Sequence, residues 1–224
     1  MEFYDNLRDT LTRVNLQENI LQLIIKNINN PQLWILMTML KLKKIVSGGQ
    51  TGADRAGLDA AMELNIPTGG WCPKGRKAED GPIDEKYPLQ ETKSGDYKVR
   101  TNLNVKESDG TLIFTIGKPT GGTALTLNRA QILKKPHLVI DLEMSYNYDA
   151  VQTWLIDNHI EVLNIAGPRG SQSPDIYEKT RKFLKTLLEA AILNRIINLR
   201  GTMITGNITG PIDETEWGAD ADNL

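Results

Sequence analysis

Two stretches of the chain combine glycines, hydroxyls and charge at a spacing that suits chemistry. The first is Ser47-Gly48-Gly49-Gln50-Thr51-Gly52, followed by Ala53 and Asp54. The second is Gly117-Lys118-Pro119-Thr120-Gly121-Gly122-Thr123. Each follows a short apolar run and leads into a helical pattern. Glycine permits positive φ and lets a ligand reach the bare backbone. The first amides of a helix have no partner within it, and the helix dipole favours negative charge there. The two loops therefore read as two halves of an anion site, most often one for phosphate. One helix end contributes only about 0.3 to 2 kcal/mol, so a usable site draws on both.

Neither loop is a Walker motif, because Thr123 stands where that motif needs its lysine, and neither reads G-x-G-x-x-G. Asp54 admits two readings. It complements the dipole of its own helix, or it accepts hydrogen bonds from ring or ribose groups beside a phosphate. Lys74, Arg76 and Lys77 form a basic loop that either closes over an anion or stays solvated. Arg100 and Asn104 share a helix face; Arg100 reaches the cleft or pairs with Glu91 or Glu107. Arg169 is a candidate anion contact, and Trp71 either stacks on a ligand ring or packs internally. Ser108 and Asp109 read as turn chemistry. Cys72 lacks a histidine base in reach and reads as an inert thiol. With two histidines and one cysteine in the chain, no protein-ligated transition metal is expected.

The elements that position these loops follow from the periodicity. Short runs rich in Val, Ile and Leu predict strands near 43–47, 67–71, 111–116, 137–142 and 161–166. Helical patterns fall at 53–64, 96–107, 122–134, 149–158 and 174–195. Such strands are those of a parallel sheet buried on both faces, and the alternation predicts right-handed crossovers. The expected fold is α/β, a Rossmann-like three-layer sandwich in which both glycine loops sit at strand carboxyl ends, where open sheets bind ligands.

The chain has 224 residues and a formal net charge of −2, which gives no global pull toward nucleic acid or an acidic membrane surface. A single cysteine excludes an intrachain disulfide and suits a cytoplasmic setting. The first twenty residues lack the compact apolar core of a secretory signal. The apolar run 33–40 is far short of the roughly 20 residues of a membrane span. Three zones result: a glycine-free helical extension over 1–42, a ligand-binding domain over 43–195, and an irregular acidic tail over 196–224.

Six segments carry a resemblance: SGGQTGADRAGLDAA (47–61), GGWCPKGRKAEDG (69–81), YPLQET (87–92), YKVRTNLNVKESDGTLIF (97–114), GGTALT (121–126) and AGPRGS (166–171). Together they resemble the molybdenum-cofactor carrier family, within a Rossmann-like group that includes the lonely-guy phosphoribohydrolases and bacterial DNA-processing proteins. The resemblance implies a cleft for a phosphate-bearing ligand, homo-oligomerisation, and the molybdenum cofactor, in its molybdopterin form, as bound cargo for a molybdoenzyme recipient. The metal would arrive held by its own organic ligand. By position, Gly48, Gly49, Thr51, Gly52, Gly121, Gly122 and Thr123 would cradle the anion. The phosphoribohydrolases carry a glutamate in their P-G-G-x-G-T-x-x-E loop, whereas this chain has no acid between 117 and 140. The expectation is a binding protein. The alternatives are a nucleotide-binding sensor and, if the protein is an enzyme, a hydrolase of the N-glycosidic bond of nucleoside monophosphates.

Overall fold

A computed structural model describes residues 42–189. The expected tail, nearly all of the expected amino-terminal extension and the end of the last helix lie outside the described residues. Strand β1 (Lys44–Ser47) leads through helix α1 (Ala53–Glu63) to β2 (Thr68–Gly69). A segment of short pairings follows: β3 (Trp71–Cys72), a 3-10 turn at Lys74–Arg76, β4 (Lys77–Ala78), β5 (Gly81–Pro82) and β6 (Gln90–Glu91). Then come α2 (Tyr97–Glu107), β7 (Gly110–Thr115), α3 (Gly121–Ile132), β8 (His137–Asp141), α4 (Tyr148–Asp157) and β9 (Val162–Ala166). A last helix, α5, covers 176–189.

The main sheet is five-stranded and parallel, in the order β2-β1-β9-β7-β8. Every residue of β7 is buried, as a strand covered on both faces requires. Its side chains alternate. Leu112 and Phe114 join Ile45, Leu163, Ile165 and Ile140 in a core with α1, α4 and α5, where Phe114 meets Phe183 edge-on at 5.2 Å. On the other face, beneath α2 and α3, Asn164 donates to Thr111 Oγ1 at 3.3 Å. The helices thus form two outer layers, and the expected three-layer sandwich stands. No helix among the described residues is long and apolar enough to cross a membrane.

The strand order carries a topological fact. With β9 counted first, then β1, β2, β7 and β8, it reads 3-2-1-4-5, the doubly wound order. The switch point then falls between β9 and β7, whose following helices α5 and α3 lie on opposite faces. A crevice opens there at the strand carboxyl ends.

The expected strand over 67–71 is divided. Gly70 adopts φ 123, and a Cβ there would meet the Ser47 carbonyl at 2.2 Å, so the chain leaves the sheet at this close crossing. Trp71–Cys72 then pairs with Gln90–Glu91 instead. The departing segment closes over a second core of Leu58, Cys72, Ala78, Ile83, Tyr87 and Leu89. It forms a strap between β2 and α2.

Candidate functional site

The two glycine loops behave differently. Gly48 and Gly49 are buried, whereas Gly121 and Gly122 are exposed. A Cβ on Gly48 would fall 2.1 Å from Arg100 Nη1, so the bare backbone is what lets that guanidinium lie against β1. Gly52 has φ 80 and packs against the Pro168 carbonyl, 2.4 Å from where its Cβ would stand. Gly49 faces Leu89 in the strap. Thr51 Oγ1 donates to Glu79 and accepts from the Gly170 amide at 3.0 Å. The amino end of α1 is already supplied with oxygens: Ala53 N donates to Pro168 O at 3.2 Å, and Gln50 N to Asp54 Oδ2 at 3.4 Å. The first loop is an internal junction of β1, the strap and the loop after β9.

The second loop opens outward. Gly117, at φ 70, donates its amide to Asp141 Oδ1 at 3.1 Å, which ties it to the end of β8. Thr120 is the N-cap of α3, and its carbonyl accepts from Thr123 N and Ala124 N at 3.0 and 3.1 Å. The Gly121 and Gly122 amides stand ahead of these first bonds. A Cβ on Gly122 would meet nothing within 4 Å. Thr123 is buried, and Thr126 Oγ1 donates to Gly122 O at 3.0 Å.

These amides border a cleft of about 370 Å³ at the switch point. Its walls include Gln50 and Asp54, then Asp96, Tyr97, Lys98 and Arg100 from the start of α2, and Gly167, Arg169 and Gln172 after β9. Asp54 is 2% exposed and accepts an ion pair from Arg100 Nη1 at 3.1 Å. Burial pushes the Asp54 carboxyl above the ordinary aspartate range, against the pull of Arg100 and the Gln50 amide. Arg100 Nε is buried and has no partner. Neither acid weighed for Arg100 takes it: Glu107 accepts from the Trp71 indole at 2.7 Å, and Glu91 from the Gly75 amide.

Of the expected site residues, Gln50, Asp54, Arg100, Gly121, Gly122 and Thr123 border the cleft together. Gly48, Gly49, Thr51 and Gly52 lie behind it. Thr120 caps α3, and Gly117 is anchored to Asp141. Lys74 is exposed on the strap and outside the cleft wall. Arg76 is occupied elsewhere. Its guanidinium donates to the carbonyls of Ile83, Asp84 and Tyr87 at 2.8 to 2.9 Å and Leu89 at 3.3 Å, holding the strap in shape. Trp71 packs on α2, where Asn104 exchanges two hydrogen bonds with its backbone at 2.8 and 2.9 Å. Ser108 Oγ donates locally to Val105 O at 3.3 Å, whereas Asp109 accepts from Glu161 N and Val162 N, a tie to the start of β9 rather than the local turn chemistry expected of it.

Sequence reasoning missed Glu79. Its carboxylate takes Thr51 Oγ1 together with the Ser171 amide and hydroxyl, and lies 3.8 Å from Arg169 Nη1. Burial acts to raise this carboxyl, but hydrogen bonds from Ser171 and Thr51 outweigh it and hold it below the ordinary glutamate range. A single acid in a polar loop carries no sequence signal of such a role. Gln172 was more accessible to reasoning, since it directly follows the AGPRGS turn.

Residues 45–188 match the model of the circularly permutated YpsA SLOG family. The chain belongs to that family. Permutation is visible in the sheet itself, where the last strand among the described residues, β9, occupies the central place of a first strand. A crystal structure of a "Putative molybdenum carrier protein" from Syntrophus aciditrophicus is similar, with 51% sequence identity and a TM-score of 0.64. The match covers 66% of this chain and 96% of that one. No curated protein matches the sequence.

Proposed function

We propose that this member of the circularly permutated YpsA family binds a phosphorylated small ligand in the switch-point cleft and carries it without chemical change. The cargo is the molybdenum cofactor in its molybdopterin form. One observation carries the reading: the outward amides of Gly121 and Gly122 share a cleft with the guanidinium groups of Arg100 and Arg169 and the ammonium of Lys98. Helix-end amides and forked cations are complementary to a phosphate group. A cleft of about 370 Å³ lies within the range of small-ligand sites. Tyr97 lines the same wall, with the Arg100 guanidinium over its ring at 6.0 Å. The molybdenum-carrier designation of the Syntrophus protein supports a molybdenum-bearing cargo. Assembly into homo-oligomers, a cytoplasmic setting and delivery to a molybdoenzyme belong to the same proposal.

The test is to purify the protein from a host that makes the cofactor, denature it, and identify what is released. The oxidised pterin is read by fluorescence, nucleotides by chromatography, and molybdenum by elemental analysis. Near-stoichiometric pterin with molybdenum is expected. A nucleotide without pterin would replace the carrier reading with a nucleotide-binding one.

A further inference from the structure

We propose that Asp54 is the specificity-determining residue of this cleft: it withholds the Arg100 guanidinium from an incoming anion, so that a dianionic group is accepted together with one proton. The inference rests on the anion-cleft reading above and adds to it the charge state the cleft selects. Asp54 sits on the first turn of α1 with almost no exposure, and Arg100 Nη1 lies 3.1 Å from its Oδ2. Arg100 Nε is left buried without an acceptor. The guanidinium therefore carries one unused donor, Nε, and a ligand oxygen reaching Arg100 offers it the acceptor that it lacks.

Three basic side chains (Lys98, Arg100 and Arg169) and two acidic ones (Asp54 and Asp96) border the cleft, leaving one net positive charge. Protonating Asp54 makes it two, which matches a phosphomonoester or sulfate dianion. With Asp54 ionised the balance matches a monoanion such as a phosphodiester.

Among the groups facing Asp54, Arg100 is the main counter-ion and Arg55 adds a weaker pull. Arg100 comes from α2 and the Gln50 amide from the loop after β1. Arg55, on its own helix, is committed to Asp80 and to the Gly49 carbonyl. Along the same wall, Asp96 accepts from Lys98 N, and Arg169 lies 3.8 Å from Glu79. When Arg100 turns to a ligand dianion, Asp54 is left buried beside that charge and takes up a proton from solvent, relieving the repulsion. Burial has already raised its proton affinity.

The test titrates the protein with inorganic sulfate, which remains a dianion throughout the experiment, so every proton counted is the protein's. Calorimetry in two buffers of different ionisation heat, between about pH 5 and 8, gives protons taken up per sulfate bound. The expected result is uptake approaching one proton wherever Asp54 is ionised in the free protein and protonated in the complex. Sulfate affinity should fall about tenfold per pH unit wherever Asp54 is ionised in the free protein. Asp54→Asn should bind sulfate with no uptake and a flat pH profile. Dimethyl phosphate, a monoanion, should bind wild type without uptake. If the Asn variant fails to fold, wild-type uptake and slope still decide. Sulfate binding with no uptake, or uptake that persists in a folded Asp54→Asn protein, overturns the inference and leaves the anion cleft standing. Failure of both sulfate and inorganic phosphate to bind removes the cleft reading, and this inference with it.

Discussion

Arg100 reaches Asp54 across the missing side chain of Gly48. The Nη1 to Oδ2 distance is 3.1 Å, and a Cβ on Gly48 would stand 2.1 Å from the same nitrogen. One glycine, one acid and one base, from the loop after β1, from α1 and from α2, are therefore a single unit, although 52 positions separate the first from the last in the sequence. The pair is nearly closed to solvent, so breaking it exposes the cost of an uncompensated buried charge.

Arg100→Ala leaves Asp54 buried without its cation. Loss of one partner of such a pair costs about 3 to 5 kcal/mol, with part of this relieved by protonation of Asp54. Urea denaturation should show a loss of at least 2 kcal/mol or so at neutral pH, smaller in mildly acidic buffer. The double variant Asp54→Asn, Arg100→Ala should recover part of it. A single variant as stable as wild type at neutral pH would show that the ion pair is not formed.

The two glycine loops should answer alanine in opposite ways. Gly48→Ala forces the Arg100 guanidinium away and should cost about 1 to 3 kcal/mol, as other overpacked sites do. Gly122→Ala meets nothing within 4 Å, and lies in the first turn of a helix. It should leave stability unchanged or raise it by up to about 1 kcal/mol. Thermal melts of the two variants side by side make the comparison.

Arg76→Ala removes the donor to four carbonyls of the strap. Three of these bonds are part-buried and one is exposed, so their loss should cost about 1 kcal/mol, and amide exchange between residues 76 and 89 should quicken. Anion affinity should change less than twofold or so, since this arginine is outside the cleft. A large loss of affinity with an intact strap would return Arg76 to the site.

The Glu79 anchor is pH-dependent with a definite sign. Its folded carboxyl lies below the ordinary glutamate range, so its contribution is present above about pH 4.3 and is lost as pH falls through the folded value. Protection of the Ser171 amide against hydrogen exchange, after correction for intrinsic rates, should therefore drop in acid for wild type. Glu79→Gln should lack that step.

The fold was largely legible because it rests on periodicity: buried runs such as Leu112–Phe114 and the strand–helix alternation determine a parallel sheet whatever the tertiary detail. Strand order was not legible, since nothing local in Val162–Ala166 says that it inserts between β1 and β7. The candidate site was legible in part. GGT at 121–123 announces an open helix end. The first loop has the same composition, and its glycines instead admit Arg100, Leu89 and Pro168, all distant in sequence. Arg76 and Arg100 are both arginines near the glycine motifs, yet one holds carbonyls and the other an aspartate. Only the packing of the strap separates those roles.

The central claim, an anion cleft at the amino end of α3, is tested most directly by amide NMR. The 15N-labelled protein would be titrated with a phosphomonoester such as guanosine or adenosine monophosphate. Saturable shifts are predicted at Gly121 and Gly122, with smaller ones at Gly167 and Gly170, all abolished in a folded Gly122→Asp variant. No saturable shift at the α3 amides, or shifts confined to the opposite end of the sheet around Lys134–His137, would contradict it.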